Sequence, residues 1–257
     1  MTFNEQWIAF ITILRKEIKR FARIWIQTLL PPAITMVLYF VIFGKLIGSR
    51  IGDMGGFSYI EFVAPGLIMM AVLTNSYANV SSSFFSAKFQ RSVEEILVSP
   101  TPNYIILLGY VMGGVARGLA VGLIVTLMSL FFTDLHIQHG FITISIVLMT
   151  SVLFSLAGFI NAVYANTFDD ISVVPTFVLT PLTYFGGVFY SINLLPEFWQ
   201  QVSVFNPILH MVNAFRYGML GISDVNITMA FTGLAFCVVI LFAVGMYLLK
   251  SGKRLRA

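Results

Sequence analysis

Charged residues are scarce in this sequence, and their scarcity excludes most soluble folds. Only 10% of the 257 residues are charged, whereas a soluble domain has about 25%. Apolar residues make up 58%, and the mean hydropathy is +0.90. A chain so poor in charge is predicted to be embedded in a lipid bilayer. About six spans of roughly 20 residues would use up this length, so we expect no separate soluble domain.

Cysteine and histidine are also scarce. The single cysteine, Cys237, excludes a disulfide framework within one chain. The three histidines do not form a HExxH motif, a Cys/His cluster or a Ser/His/Asp set. His136 and His139 lack a third ligand nearby, so no metal site is expected.

The net charge of +4 is better explained by where the charges lie along the chain than by a nucleic-acid partner. We therefore expect no nucleic acid among the partners.

Long apolar runs fill most of the chain. They predict six transmembrane helices, at about 24–46, 59–83, 103–132, 141–164, 171–190 and 227–249. The predicted fold class is therefore all-α, a polytopic membrane protein with residues 1–257 as one transmembrane domain. Pro31 and Pro32 predict a kink in the first span, and Pro175 and Pro181 predict a bent fifth span that ends early.

The N-terminal segment, 1–23, is basic and amphipathic. Apolar residues recur along one helical stripe at Trp7, Phe10, Ile11, Leu14, Ile18 and Phe21. Basic residues cover the remainder at Arg15, Lys16, Lys19, Arg20 and Arg23. Such a helix lies in the plane of the lipid headgroups rather than crossing the bilayer. An ordinary lead-in to the first span is the simpler interpretation, and both can hold.

A short charged island, 84–104, separates the second and third spans. Its apolar residues recur at helical spacing, at Phe89, Val93, Ile96 and Leu97, and its charged residues Arg91, Glu94 and Glu95 fall on the other side. Ser99 to Pro102 ends this helix, with Thr101 predicted as N-cap and Pro102 as first residue of the next. The island is either an interfacial helix that only shapes a loop or a docking surface for a soluble partner.

Polar residues inside the spans are the candidates for a substrate path. Asn75, Tyr77 and Asn79 lie in the second span, and Arg117 lies in the middle of the third. An unpaired cation there would cost about 3 kcal/mol of insertion free energy, so Arg117 must have a polar partner in the protein or contact water. Helix–helix hydrogen bonding and substrate contact both remain open for this group. The third span also carries glycines spaced for close helix approach, at Gly109, Gly113, Gly114, Gly118 and Gly122.

The segment 187–226 predicts two short amphipathic helices before the last span. Pro196 opens the first, and Asn206-Pro207 opens the second, which Gly221 closes. Both are apolar enough to form a re-entrant hairpin covered by protein. Upstream, Asp169 and Asp170 beside Thr167 suit the N-terminus of the fifth span as caps.

When both termini, the island and the turn at 165–170 are assigned to one side of the predicted membrane, most basic residues lie on that side, which places both termini and the island in the cytoplasm. That side carries Arg15, Lys16, Lys19, Arg20, Arg23, Lys88, Arg91, Lys250, Lys253, Arg254 and Arg256. The other side carries Lys45, Arg50 and Arg216.

Residues 179–221 contain a Pro-Leu, a glycine pair before an aromatic, a Leu-Pro turn before a tryptophan, an Asn-Pro and a Phe-Arg. This stretch, with IWIQTLLPPAITMVLYFVIFG, EFVAPGLIMM and the NTFDD turn, resembles the ABC-2 family of ATP-binding-cassette transporter permeases. The resemblance implies that 84–102 is a coupling-helix loop, that 1–23 is an interface helix and that 187–226 is an outer-leaflet re-entrant hairpin. The implied contacts with a separate ATPase are Lys88, Phe89, Arg91, Glu94, Glu95 and Val98.

The resemblance further implies two copies of this chain with two ATPase subunits. The sequence has no G-x-x-x-x-G-K-[ST] loop, so we expect no cofactor here, with ATP and magnesium bound by the partner. The expected function is a non-catalytic permease of an exporter in the bacterial inner membrane, surrounded by lipid. Its cargo would be a lipid-like molecule, a glycan or a drug. An ion-coupled secondary transporter and an integral membrane enzyme are the alternatives, and neither would need an ATPase.

Overall fold

The computed structural model describes residues 1–252 and 254–255, without the side chains of Lys45 and Ser49. Lys253 and Arg256, two residues of the predicted basic side, therefore lie outside the described residues, as does the side chain of Lys45. The first helix, α1 (Phe3–Arg23), agrees with the predicted N-terminal helix. Thr2 and Glu5 begin it with a capping box, in which the Glu5 carboxylate accepts the Thr2 amide at 2.8 Å.

The first predicted span is kinked, as its prolines indicate. It consists of α2 (Trp25–Thr28), α3 (Leu30–Tyr39), a π-helical segment (Phe40–Ile47) and α4 (Gly48–Ile51). The break at Leu29 directly precedes Pro31 and Pro32, which occupy the first turn of α3 where missing amide donors cost nothing. A hairpin of β1 (Asp53–Met54) and β2 (Phe57–Ser58) follows, with Asp53 opposite Ser58.

The central helix, α5 (Tyr59–Phe89), has 31 residues and is buried along most of its length. It is followed by α6 (Ser92–Val98), α7 (Asn103–Ser129) and α8 (Gly140–Tyr164). Helices α7 and α8 pack along α5, and α1 packs along α7. The buried apolar side chains form two clusters, one around each half of α5.

The remaining chain is broken into shorter helices before a last long one. These are α9 (Phe168–Val174), a π-helical segment (Pro175–Leu179), α10 (Thr180–Tyr184), a 3-10 turn (Ile192–Leu194), α11 (Glu197–Val204) and α12 (Pro207–Leu220). The last helix is α13 (Ile227–Ser251). Helix α12 packs against α5, α8 and α13 and closes one end of the bundle.

Within the described residues, five helical stretches are long and apolar enough to cross a membrane. They are Trp25–Gly44, Tyr59–Phe89, Asn103–Ser129, Gly140–Tyr164 and Ile227–Ser251. The predicted span at 171–190 is instead a helix in three pieces of 7, 5 and 5 residues, from Phe168 to Tyr184. Its length is about 25 Å, short of the roughly 30 Å of bilayer hydrocarbon, and its prolines sit where the pieces join.

Most predicted helix ends are confirmed. Thr167 forms a capping box with Asp170, the Asn206 side chain accepts the Ile208 amide, and Gly221 ends α12 at φ +75°. The prediction for Thr101 and Pro102 is wrong by one residue, because Pro102 is the N-cap and α7 begins at Asn103. The physical reason is a turn in which the Thr101 amide donates to Ser99 Oγ at 3.4 Å.

Candidate functional site

The end of the bundle that carries both termini holds the predicted docking island. Helix α6 is attached through Val93, which is buried against the apolar cluster of this end, while Ile96 and Leu97 are partly buried there. Phe89 does not join this face: its side chain is 62% exposed. The predicted amphipathic pattern is therefore correct for α6 itself and wrong for Phe89, because α5 ends at Phe89 and the chain turns there.

The residues predicted to contact an ATPase have different surroundings. Phe89 and Val98 are exposed, Val98 by 86%, and Arg91 and Glu95 are exposed as well. Glu94 is half-buried. Lys88 points back into the bundle, where its Nζ donates to the Val163 and Ala165 carbonyls, each at 2.7 Å. Lys88 therefore satisfies carbonyls at the C-terminal end of α8 and ties it to α5.

Aromatic rings join the end of α5 to the start of α9. The Phe168 ring lies 4.9 Å from that of Phe85 and 5.1 Å from that of Phe89, both edge-on. Edge-to-face pairs at this separation stabilise by about 1 kcal/mol each. The predicted turn at 165–170 and the island thus meet at one surface.

A polar network connects α1 to the interior of the bundle at this same end. Glu17 is fully buried, and its Oε1 accepts the Ser83 hydroxyl at 2.7 Å. Arg20 donates to the backbone and side-chain oxygens of Asn79, each at 2.8 Å, and its Nε lies 3.5 Å from Glu17 Oε2. Within the described residues, Glu17 Oε2, Arg20 Nε and Asn79 Nδ2 make no hydrogen bond. The network is charged, it is buried at Glu17 and half-buried at Arg20, and its hydrogen bonding is incomplete.

Two of the substrate-path candidates meet each other. Arg117 donates to the side-chain oxygen of Asn75 at 3.1 Å and to the Thr28 carbonyl at 3.4 Å. The Thr28 hydroxyl in turn donates to the Phe21 carbonyl at 2.9 Å. Arg117 is thus paired, as its position in an apolar run requires.

Tyr77 lies apart from the other three candidates. It lines a cavity of about 220 Å³ between the central helix and the proline-broken segment. The cavity is also lined by Tyr39, Met70, Thr74, Thr180 and Tyr184. Asn79 belongs to the Arg20 network, so the structure does not gather all four candidates in one place.

The glycines of α7 allow close packing on two sides. A Cβ at Gly109 would lie 2.5 Å from the Ile13 side chain, and one at Gly113 would lie 2.5 Å from the Glu17 Cβ. A Cβ at Gly122 would lie 2.6 Å from Val72 of α5. The predicted close-approach face therefore contacts helices of the same chain, and it holds α1 against the bundle.

The opposite end of the bundle contains a buried arginine in a different setting. Arg216 is 1% exposed, and its guanidinium donates to the carbonyls of Gly187 at 2.7 Å and Phe62 at 3.2 Å and to Asn213 at 3.4 Å. Its guanidinium carbon also lies 3.9 Å from the Phe62 ring centroid. This arginine fastens the loop after α10 onto α5.

Glu17 is not among the residues predicted from the sequence, Arg20 is predicted only as a cytoplasmic charge, and Arg216 is predicted only as a charge and as part of the Phe-Arg pair. One signal for Glu17 was available, because Ile13, Glu17 and Phe21 recur every four residues on one helical face. The partners of Arg216 could not be predicted from its local pattern, since both carbonyls come from distant segments.

The long apolar helices and their glycine-mediated packing define a polytopic membrane protein. Residues 8–220 match the ABC-2 type transporter family, and the chain belongs to that family. It is 59% identical over 252 residues to the inner membrane transport permease YadH of Escherichia coli K12, with 98% of each chain covered, and equally to YadH of Shigella flexneri. It is 23% identical to nodulation protein J of Rhizobium leguminosarum bv. viciae over 83% of each chain.

Proposed function

We propose that this chain is the membrane subunit of an ATP-driven exporter and that a separate ABC ATPase docks on α6. The observation that carries the proposal is the form of α6. It is anchored by Val93, yet it presents Glu95 and Val98 outward beyond the end of α5. A short helix held rigidly to the long central helix can transmit a push from a soluble partner as a rigid-body motion.

The proposed membrane arrangement follows the charges. Both termini and α6 lie in the cytoplasm, because basic residues concentrate at that end. Helix α1 acts as the interface helix: it packs along α7 and exposes Trp7 and Ile8 toward lipid. Residues 171–190, the predicted fifth span, bring the number of spans to six, and α11 and α12 form the re-entrant hairpin of the outer leaflet. Two copies of this chain act together in the inner membrane.

The proposed cargo is amphiphilic: a lipid-like molecule, a glycan or a drug. The cavity beside Tyr77 offers tyrosine and threonine hydroxyls among apolar side chains, a lining suited to a molecule with both characters. Its proline-broken wall can change shape more readily than a regular helix. Arg117 and Asn75 lie elsewhere in the bundle as polar contacts for a headgroup.

The test is copurification of an ABC ATPase with the tagged chain and ATP turnover in lipid. The double variant Glu94→Arg with Glu95→Arg is expected to lose both, because it reverses the charge that α6 presents to the partner. Arg50→Glu, an exposed charge change at the opposite end, is the control and should retain both. An intact, active complex after reversal of Glu94 and Glu95 would contradict docking on α6.

An ion-coupled secondary transporter is the second candidate, and the buried carboxylate of Glu17 is the observation that favours it. Glu17 is already bonded to Ser83 and near Arg20, which argues for a structural role. Transport driven by an ion gradient in vesicles without any ATPase would establish this candidate and exclude the first.

A further inference from the structure

A second cavity lies between the end of α5 and the C-terminal tail, and it is lined by three cations. Its volume is about 560 Å³. The lining residues are Phe85, Lys88, Phe89, Arg91, Asn166 and Arg254. We propose that this cavity, formed by Lys88, Arg91 and Arg254, receives an acidic side chain of the ATPase partner. The inference rests on the proposed function and adds to it a contact of defined chemistry that involves the C-terminal tail.

The charge balance of the cavity is the first argument. Within the described residues, the guanidinium groups of Arg91 and Arg254 have no hydrogen bond or ion pair, and the Arg254 guanidinium lies 5.0 Å from the Tyr164 ring centroid. Lys88 adds a third positive charge at the base, where two carbonyls hold it. The carboxylate that interacts with Lys88 is that of Asp170, which accepts the amides of Asn166 and Thr167. The residues that line the cavity thus include three cations and no carboxylate.

The backbone at the two arginines is the second argument. Among the described residues, positive φ outside glycine occurs only at Arg91, at +61°, and at Arg254, at +63°. A long side chain in the left-handed region costs free energy that glycine would not cost. Both strained positions carry arginine and both line the same cavity. Strain retained at two converging cations indicates that their charge is needed there.

The depth of the cavity favours a soluble partner over a lipid headgroup. Helix α5 has 31 residues and is therefore about 46 Å long. A bilayer with its headgroups is about 40–45 Å thick. Since Glu61 lies in the first turn of α5, at the opposite polar boundary, the end of the helix at Phe89 reaches the edge of the headgroup layer or passes it. Arg20 of α1 lies at the level of Asn79, about 30 Å along α5, and is the better placed to meet lipid.

The first experiment measures binding of the ATPase that copurifies with the wild-type chain, reconstituted in nanodiscs. Arg91→Glu with Arg254→Glu is expected to weaken the complex by at least about tenfold and to lower coupled ATP turnover, since charge pairs buried at interfaces contribute this much or more. Arg50→Glu is the matched control and should bind like wild type.

A second variant separates charge from folding. Arg91→Gly with Arg254→Gly removes both charges and also relieves the backbone strain, so the chain should be at least as stable as wild type while its binding still falls. Wild-type affinity in this variant would overturn the proposal, because the charges would then be dispensable. Lower thermal stability in this variant would contradict the strain argument.

Charge exchange identifies the occupant. Surface Asp and Glu residues of the ATPase are changed one at a time to Lys and tested against the Arg91→Glu, Arg254→Glu chain. One such change is expected to recover affinity to within about threefold of wild type. If none does, and the double variant instead loses binding to phosphatidylglycerol vesicles, the cavity is a lipid site and the proposal is overturned.

The proposed function and this inference can fail separately. If no ATPase copurifies with the wild-type chain, the proposed function itself is overturned. If the ATPase binds the wild-type chain and the double variant with equal affinity, only this inference is overturned.

Discussion

The two ends of the bundle each hold a polar cluster around an arginine, and the two arginines have different surroundings: Arg216 is buried, whereas Arg20 is half-buried beside the buried Glu17. At one end, the Arg216 guanidinium has protein acceptors in the Phe62 and Gly187 carbonyls and the Asn213 side chain. At the other, Arg20 and Glu17 share a network in which three buried atoms lack a hydrogen bond within the described residues. A fully satisfied buried cation locks its segments together, whereas a partly satisfied network stores free energy that a rearrangement can release. The comparison indicates a rigid end and an end able to move.

The surroundings of the two arginines support this division. Around Arg216, a Cβ at Gly66 would lie 2.6 Å from the Val188 carbonyl oxygen, so the loop backbone is pressed directly onto α5. Tyr59 adds a hydrogen bond to the Phe189 carbonyl at 3.1 Å. Around Arg20, contact with the bundle is made by side chains of one amphipathic helix. Side chains can exchange partners without unfolding a backbone turn.

The largest effect is expected at the rigid end. Arg216→Met should lower the melting temperature by about 10 °C, because it leaves the Gly187 and Phe62 carbonyls without their charged donor at a cost of about 3–5 kcal/mol. The measurement is thermal unfolding of the detergent-solubilised chain. Arg50→Met, which removes an exposed arginine, is the control. A shift of less than about 2 °C at Arg216 would mean that this end is not held by the arginine.

An intermediate effect is expected at the other end, and it should be reversible by a second change. Glu17→Leu alone strands Arg20 and should lower the melting temperature by about 5 °C. Glu17→Leu combined with Arg20→Met should recover most of that loss, since an apolar pair can replace an unsatisfied ionic one. ATP turnover of the complex should still fall in the double variant. Additive destabilisation by the two changes would contradict the view that they form one network.

The smallest effect is expected at Asp170, beside the docking surface. Hydrogen bonds from the Asn166 backbone, and then from Thr167, hold the pKa of the Asp170 carboxyl below its usual value. A carboxyl with a lowered pKa stabilises the folded state above its unfolded pKa and stops doing so as the pH falls through the folded value. Asp170→Asn should therefore be slightly less stable than wild type at pH 7, and the difference should vanish in acid. Asp169→Asn, whose carboxylate makes no hydrogen bond in the described part of the chain, should show no difference at either pH.

The local patterns in the sequence predicted most helices well. The span at 141–164 is observed as Gly140–Tyr164, because a long apolar run specifies a helix of its own length. The last span at 227–249 is observed as Ile227–Ser251, and there Asn226 and Gly252 also cap the two ends. The second span continues past its predicted end at 83 to Phe89, since the polar turn of the helix around Ser81 and Ser83 is buried rather than exposed. The fifth span was harder to predict because its prolines and glycines divide it.

The sequence by itself determined the class of this protein. The evidence was the scarcity of charge, the apolar runs and the motif-bearing stretch at 179–221, which are local properties and can be recognised without the tertiary structure. It also determined where α6 would lie and that Arg117 would need a partner. Only the tertiary structure decided which partners the buried charges have. Glu17 meets a serine 66 positions away, and Arg216 meets a carbonyl 154 positions away. Such pairings depend on how the helices pack, and helix packing is a property of the whole chain rather than of any short window along it.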